Sequence, residues 1–364
     1  MKTHFPLLLF IFLMIIAASA CKTSKKELVN DALASHIDST IKAGDDFFLF
    51  ANGKWFRQNP IPSNEQSNGI FQLVQDTINI QVRHICELSA AIKDPLKGSN
   101  KQKIGDFFFT GMDSTALNKN GISDLRNDFD MIDAIKDING IIKTASYLNT
   151  VGSSPLFDFG AQQDFKTSSK ISVLVWQGGL SLPDRNFYID TDSRTVLIRQ
   201  KFIVHLENTF GIMAYSNDKA KTAAADLMKL ETAIANSSRK REDTRDPRAN
   251  YHKMAFKQLN ESTPNIDWKI FIDGVGLHNI DSVIVGQPEF LKAVNSYLRS
   301  YPIADWKNYL KYHLLRNFSD YMDDKTYLEF FNFYSTTLRG VKEPKPRWKR
   351  VVQQTDGSLG ELIG

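Results

Sequence analysis

The feature that most limits what this chain can fold into is a recurring spacing of apolar residues at steps of three and four. Between residues 69 and 92, Phe71, Val74, Ile78, Val82, Ile85 and Leu88 follow this rhythm, which brings side chains to one face of an α-helix. Residues 218–238 repeat it with Ala223, Leu227, Leu230 and Ile234. The same reading predicts helices over 122–136, 138–151, 192–213, 287–299, 304–316 and 324–338. Asp190, Thr191, Asp192 and Ser193 supply N-cap residues for one helix, Asn217 and Asp218 for another. Strand patterns are confined to LFDFGAQQD and KISVLVWQGGL, with Gly178 and Gly179 as a break. The expected fold is mainly α: a multi-helix domain with a small antiparallel β element inserted near residues 155–180.

Such a fold has to be held by packing. The chain has 364 residues, 42% of them hydrophobic, and only two cysteines. Cys86 falls on or beside the apolar face of the 69–92 helix, which predicts a buried, unreactive thiol. Acids and bases nearly balance at a net charge of +4, with no basic stripe of the kind nucleic-acid binders carry. The densest charged run, SSRKREDTRDPR, alternates in sign and reads as a solvated face with local ion pairs.

The N-terminus has a separate logic. Lys2 precedes an apolar run from Phe5 to Ala20, followed by AASAC. This is the order of a signal peptide: basic start, apolar centre, small residues at the cleavage site. Cys21 directly after ASA resembles a bacterial lipobox, although Ala18 stands where Leu is commonest. The expectation is a signal peptide over 1–20, a lipidated Cys21 and a polar tether to residue 43. Acyl chains on Cys21 would anchor the protein to an extracytoplasmic membrane face.

No motif for catalysis stands out from the residues alone. The seven histidines, His4, His36, His84, His205, His252, His278 and His313, include no pair one helical turn apart. A helical zinc site needs such a pair, with Glu between them. His205 near Glu207 does not replace it and reads as a surface or core histidine. G-x-S-x-G, the Walker loop and the dinucleotide fingerprint are all missing. No catalytic, metal-binding or substrate-binding residue is assigned.

Several blocks in order nevertheless resemble one family. GDDFFLFANGKWF (Gly44 to Phe56), IPSNEQSNGIFQL, KIGDFFFTGMD and WQGGLSLPDRNFY (Trp176 to Tyr188) are similar to stretches of the neprilysin and endothelin-converting-enzyme family of zinc metalloendopeptidases. KLETAIANSSRKREDTRDP, YHKMAFKQLN, PNIDW, VIVGQPEFL and PRWKRVVQQTDGSLGELIG continue the series, so the resemblance spans about residues 44–364. Most of these blocks read as scaffold. In NGKW, Gly53 permits a turn or close approach and Trp55 is an apolar anchor. In LPDRNFY, Pro183 and Asp184 make a turn, Arg185 binds carbonyls or a carboxylate, and Phe187 and Tyr188 pack.

The resemblance implies zinc held by an H-E-x-x-H helix and a downstream E-x-x-x-D, all C-terminal to the RWKR block. No H-E-x-x-H occurs here, and no E-x-x-x-D follows RWKR. It also implies substrate-binding arginines near GIFQL, where Ser67 and Gln75 stand instead, so no substrate residue is carried over. The expected function is the N-terminal, noncatalytic chamber wall of a neprilysin-like peptidase. It would be inactive alone and without its own zinc, and would act on peptides only when complemented by a separately encoded catalytic half. The alternatives are a peptide- or protein-binding lipoprotein and a poorly folded fragment. Under the favoured reading, the apolar end of the last helix, Leu362 and Ile363, is expected to lack a packing partner.

Overall fold

A computed structural model describes Asp31 and residues 33–364; Cys21 and the signal segment lie outside the described residues. The chain divides into two units, up to Pro62 and from Ser63 onward. In the first, α1 (Phe47–Gln58) is capped by Asp46, whose carboxylate accepts from Leu49 N. Gly53 of α1 is a point of close approach: a Cβ there would lie 3.2 Å from Asp38. Asp38 is paired with Arg57, which holds its carboxyl well below the usual carboxylate range.

The second unit begins with α2 (Ile70–Ala90), α3 (Asn100–Met112), α4 (Ser114–Asn120), α5 (Arg126–Asp133) and α6 (Ile138–Thr150). Strands β1 (Phe157–Gln163) and β2 (Ile171–Gln177) follow, then α7 (Asn186–Ile189), α8 (Ser193–Ile212) and α9 (Asn217–Ser237). Next come β3 (His252–Ala255), α10 (Phe256–Ser262), α11 (Trp268–Gly274) and β4 (Ser282–Val285). The chain continues with α12 (Pro288–Ser300), α13 (Ile303–Phe318), α14 (Asp324–Phe330) and α15 (Arg347–Ile363). A π-helical turn, Phe331–Thr337, prolongs α14, so the helix expected over 324–338 changes its winding midway. Ser99, Asp113, Asp137, Asp192, Asp267 and Asp323 each cap a helix by accepting a backbone N–H from its first turn. Asp192 is thus the expected cap of α8, whereas α9 starts after Ser216, without a side-chain cap from Asn217 or Asp218.

The fold is mainly α, as expected, and β1 and β2 pair antiparallel with Phe157 opposite Gln177. The sheet is larger and mixed: its order is β1-β2-β4-β3, with β4 parallel to β2 and β3 antiparallel to β4. The added strands are four residues long, and β4 meets a partner more than a hundred positions earlier. A central strand buried on both faces is continuously apolar, as Val283, Ile284 and Val285 are, and so lacks the alternation that marks a strand in sequence.

One large core unites α6, α8, α9, α11 and α13 with the sheet through Ile141, Phe157, Phe202, Leu227, Trp268 and Trp306. A smaller one joins α2, α3 and α15 through Val82, Cys86, Ile104, Phe108, Val351 and Val352. Here the expected stripe of α2 has the right period and the wrong phase. Val82 is buried as expected, but the other buried positions, Asn79, Cys86 and Ser89, lie one residue on from Ile78, Ile85 and Leu88, a rotation of about 100°. Phe71 is 91% exposed, and Val74 and Leu88 are more than half exposed. The last helix also departs from expectation. A kink at Leu359 (φ −131°, ψ 16°) accompanies the packing of Leu362 and Ile363 against the smaller core, where both are half-buried.

Cys86 is fully buried, and burial pushes its thiol up to about 11. The charged run is not purely local: Arg239 reaches Glu289 on α12 at 2.5 Å and donates to Ala249 O.

Candidate functional site

Glu231 sits on α9 one turn after Leu227 and one turn before Ala235, on the buried face, with no solvent exposure. Its carboxylate accepts from Ser181 Oγ (2.5 Å), Ser181 N (3.2 Å), Tyr188 Oη (2.5 Å) and His313 Nε2 (3.2 Å). The surrounding hydroxyls fix the backbone of the SLPDRNFY stretch. Tyr188 Oη accepts from Ser181 N and Leu182 N, and Tyr334 donates to Ser181 O. Tyr309 donates to Gly179 O at 2.7 Å and accepts from Leu156 N. Gly179 has φ +75°, and a Cβ there would press on Tyr309 Oη and the Leu156 backbone. Arg185 takes the carbonyl option, donating to Ala235 O at 3.3 Å.

Burial raises the Tyr188 phenol, with the Glu231 carboxylate adding to the effect. Burial lowers both His313 and His205 below the ordinary imidazole value, disfavouring their charged forms. Ser181, Glu231 and His313 are therefore not a nucleophilic triad. The serine and the imidazole both donate to the carboxylate, no imidazole faces Ser181 Oγ, and all three are shut from solvent. The network is a buried clamp on the loop that leaves β2.

From this clamp Arg316 and Tyr334 lead outward into an open cleft of about 900 Å³. The cleft is also lined by Glu65, Ser67, Asp320, Tyr327, Phe330, Arg339, Lys345 and Arg350. The Arg316 guanidinium lies 4.8 Å from the centre of the Tyr334 ring and donates to Leu180 O at 3.4 Å. That of Arg350 lies 3.7 Å over Tyr327. Glu65 receives Lys345 (3.3 Å) and Lys349 (3.1 Å), and Lys349 also meets Asp76 at 2.6 Å. The aromatic walls and unevenly paired cations can bind an extended, partly anionic ligand.

Of the positions weighed in the sequence, Ser67 lines this cleft, while Gln75 turns to Asn79 on its own helix at 3.2 Å. His205 is a core histidine, partnered by Glu329 (2.9 Å) and Tyr312 (3.1 Å) rather than Glu207. Glu231, Arg316 and Arg350 were missed. A signal existed for the first, a glutamate on the apolar stripe of a helix; the arginines had none, since their shared cleft arises only from folding.

The architecture is a mainly helical domain with a small mixed sheet and an open cleft. It superposes on Mycobacterium tuberculosis zinc metalloprotease Zmp1 in complex with inhibitor with a TM-score of 0.86 and 25% identity, over 90% of this chain and 50% of that one. PepO from Lactobacillus rhamnosis shares the fold at a TM-score of 0.74 and 13% identity, over 89% of this chain and 51% of that one. The rat and bovine endothelin-converting enzyme 1 are each 25% identical, over 94% and 95% of this chain but 46% and 47% of their own lengths. The sequence model for the N-terminal region of peptidase family M13 matches residues 43–364. The chain belongs to peptidase family M13, and it spans about half the length of the curated relatives it matches.

Zinc is the metal this family implies, and the described residues do not fit it. Among them no group of three or more His, Cys, Asp and Glu side chains converges to hold an ion. His205 and His313 are each committed to a buried hydrogen bond with a different glutamate.

Proposed function

We propose that this chain is the noncatalytic, substrate-enclosing wall of an M13-type peptidase of small peptides, working with a catalytic part that carries the zinc ligands. The supporting observation is a family match across residues 43–364 in a chain that contains no H-E-x-x-H. An exposed apolar face on α2, with Phe71, Val74, Ile78 and Leu88 facing solvent, supports docking of that catalytic part. The AASAC stretch supports tethering through a lipidated Cys21 outside the cytoplasm.

Two assays test this. The purified chain alone is expected to cleave no peptide, and chelator-sensitive cleavage by it would overturn the reading. Mixed with a polypeptide bearing H-E-x-x-H and E-x-x-x-D from the same genome, it is expected to restore cleavage. For the tether, labelled fatty acid is expected on the wild type and not on Cys21→Ser; membrane partitioning of that variant would count against it.

A further inference from the structure

We propose that the cleft selects acidic peptides, with Arg316, Arg339 and Arg350 taking carboxylates and Tyr327, Phe330 and Tyr334 taking apolar side chains. This rests on the peptide reading above and names the substrate class. The three arginines come from three places: α13, the segment after the π-helical turn, and α15. Among the described residues, no carboxylate lies within ion-pair distance of the three in the cleft.

Two of them are held ready. Stacked on Tyr334 and Tyr327, the guanidiniums of Arg316 and Arg350 keep their planes fixed and leave donor edges for a ligand. Arg350 Nε is buried with no hydrogen-bond partner, so the guanidinium's remaining N–H groups are the ones that face a ligand. The acids lining the cleft do not balance these cations. Glu65 is taken up by Lys345 and Lys349, which leaves Asp320 facing three guanidiniums. A ligand with one carboxylate satisfies one arginine; a peptide with two or more satisfies the set.

The test is calorimetry on the full chain with twin peptides, acetylated and amidated so that side chains carry the only charges. One twin bears two Glu where the other bears Gln, flanked by Phe and Leu. The acidic twin is expected to bind about tenfold tighter or more, with the gap shrinking as salt rises. Arg339→Gln, at an exposed side chain with no fold partner, is expected to weaken the acidic twin about threefold to tenfold without changing the melt. Arg350→Lys keeps the charge but loses the planar fork, and is expected to weaken it as well. Equal affinities for the twins would overturn acidic selection while leaving the wall reading to its own reconstitution assay. Failure of the acidic twin to bind, or indifference to both substitutions, would overturn it too. Inorganic phosphate binding as tightly as the acidic twin would mark a bare anion site and overturn the peptide assignment.

Discussion

Replacing Glu231 by Ala tests whether the buried clamp holds this fold. The carboxylate accepts four hydrogen bonds with no solvent access. Ser181 N keeps a second acceptor in Tyr188 Oη, so three donors lose theirs: Ser181 Oγ, Tyr188 Oη and His313 Nε2. Each buried donor left unmade costs about 1–3 kcal/mol. The one lost methylene adds about 0.8 kcal/mol. Water entering the vacated space and reorientation of the serine hydroxyl return part, for a net loss of about 3–5 kcal/mol. Glu231→Gln keeps the volume and one acceptor oxygen and is expected to cost about 1–2 kcal/mol, because its NH₂ must face one of the same donors. Urea unfolding followed by tryptophan fluorescence reads this well, since Trp268 and Trp306 are buried in the main core. At an m-value of about 3 kcal/mol/M, the Ala variant's midpoint is expected about 1 M or more below wild type. A loss under about 1 kcal/mol, or a Gln variant as damaged as Ala, would refute the reasoning.

Other outcomes follow from the same geometry. Gly179→Ala forces a Cβ against Tyr309 Oη and the Leu156 backbone at φ +75°, and is expected to cost about 2–4 kcal/mol in the same urea assay; a wild-type midpoint would refute it. Burial depresses His205 and His313 below the ordinary imidazole value, so below about pH 6.5 the unfolded chain binds more protons. Stability is therefore expected to fall as pH drops from 7.5 to 5.5 (about one unit either side of that value), and a flat or rising urea midpoint would count against it. In a Cys21→Ser chain, Cys86, buried and raised to about 11, is expected to resist a thiol-titrating dye until denaturant is added; immediate reaction of that native variant would contradict its place in the smaller core.

The elements legible in the sequence were those whose information is local. Asp192 caps α8 because a carboxylate three residues from a free N–H needs nothing distant. The β1–β2 pair was legible because its two alternating strands lie close together in sequence. The phase of α2 was not, because period comes from the helix but the buried side is chosen by what packs on it. Packing buries Asn79 and Ser89 beside Val82 and Cys86, and leaves Phe71 in solvent.

The sequence by itself determined the helical period, the caps, the hairpin and, through ordered blocks from Gly44 onward, membership of a peptidase family. Tertiary structure alone decided that β4 would pair in parallel with β2, that Glu231 would gather a serine, a tyrosine and a histidine, and that three arginines would line one cleft. The division is physical. Periodicity and capping act over a single helical turn, while the Glu231 contacts join residues 43 to 82 positions apart, and only folding brings such groups together.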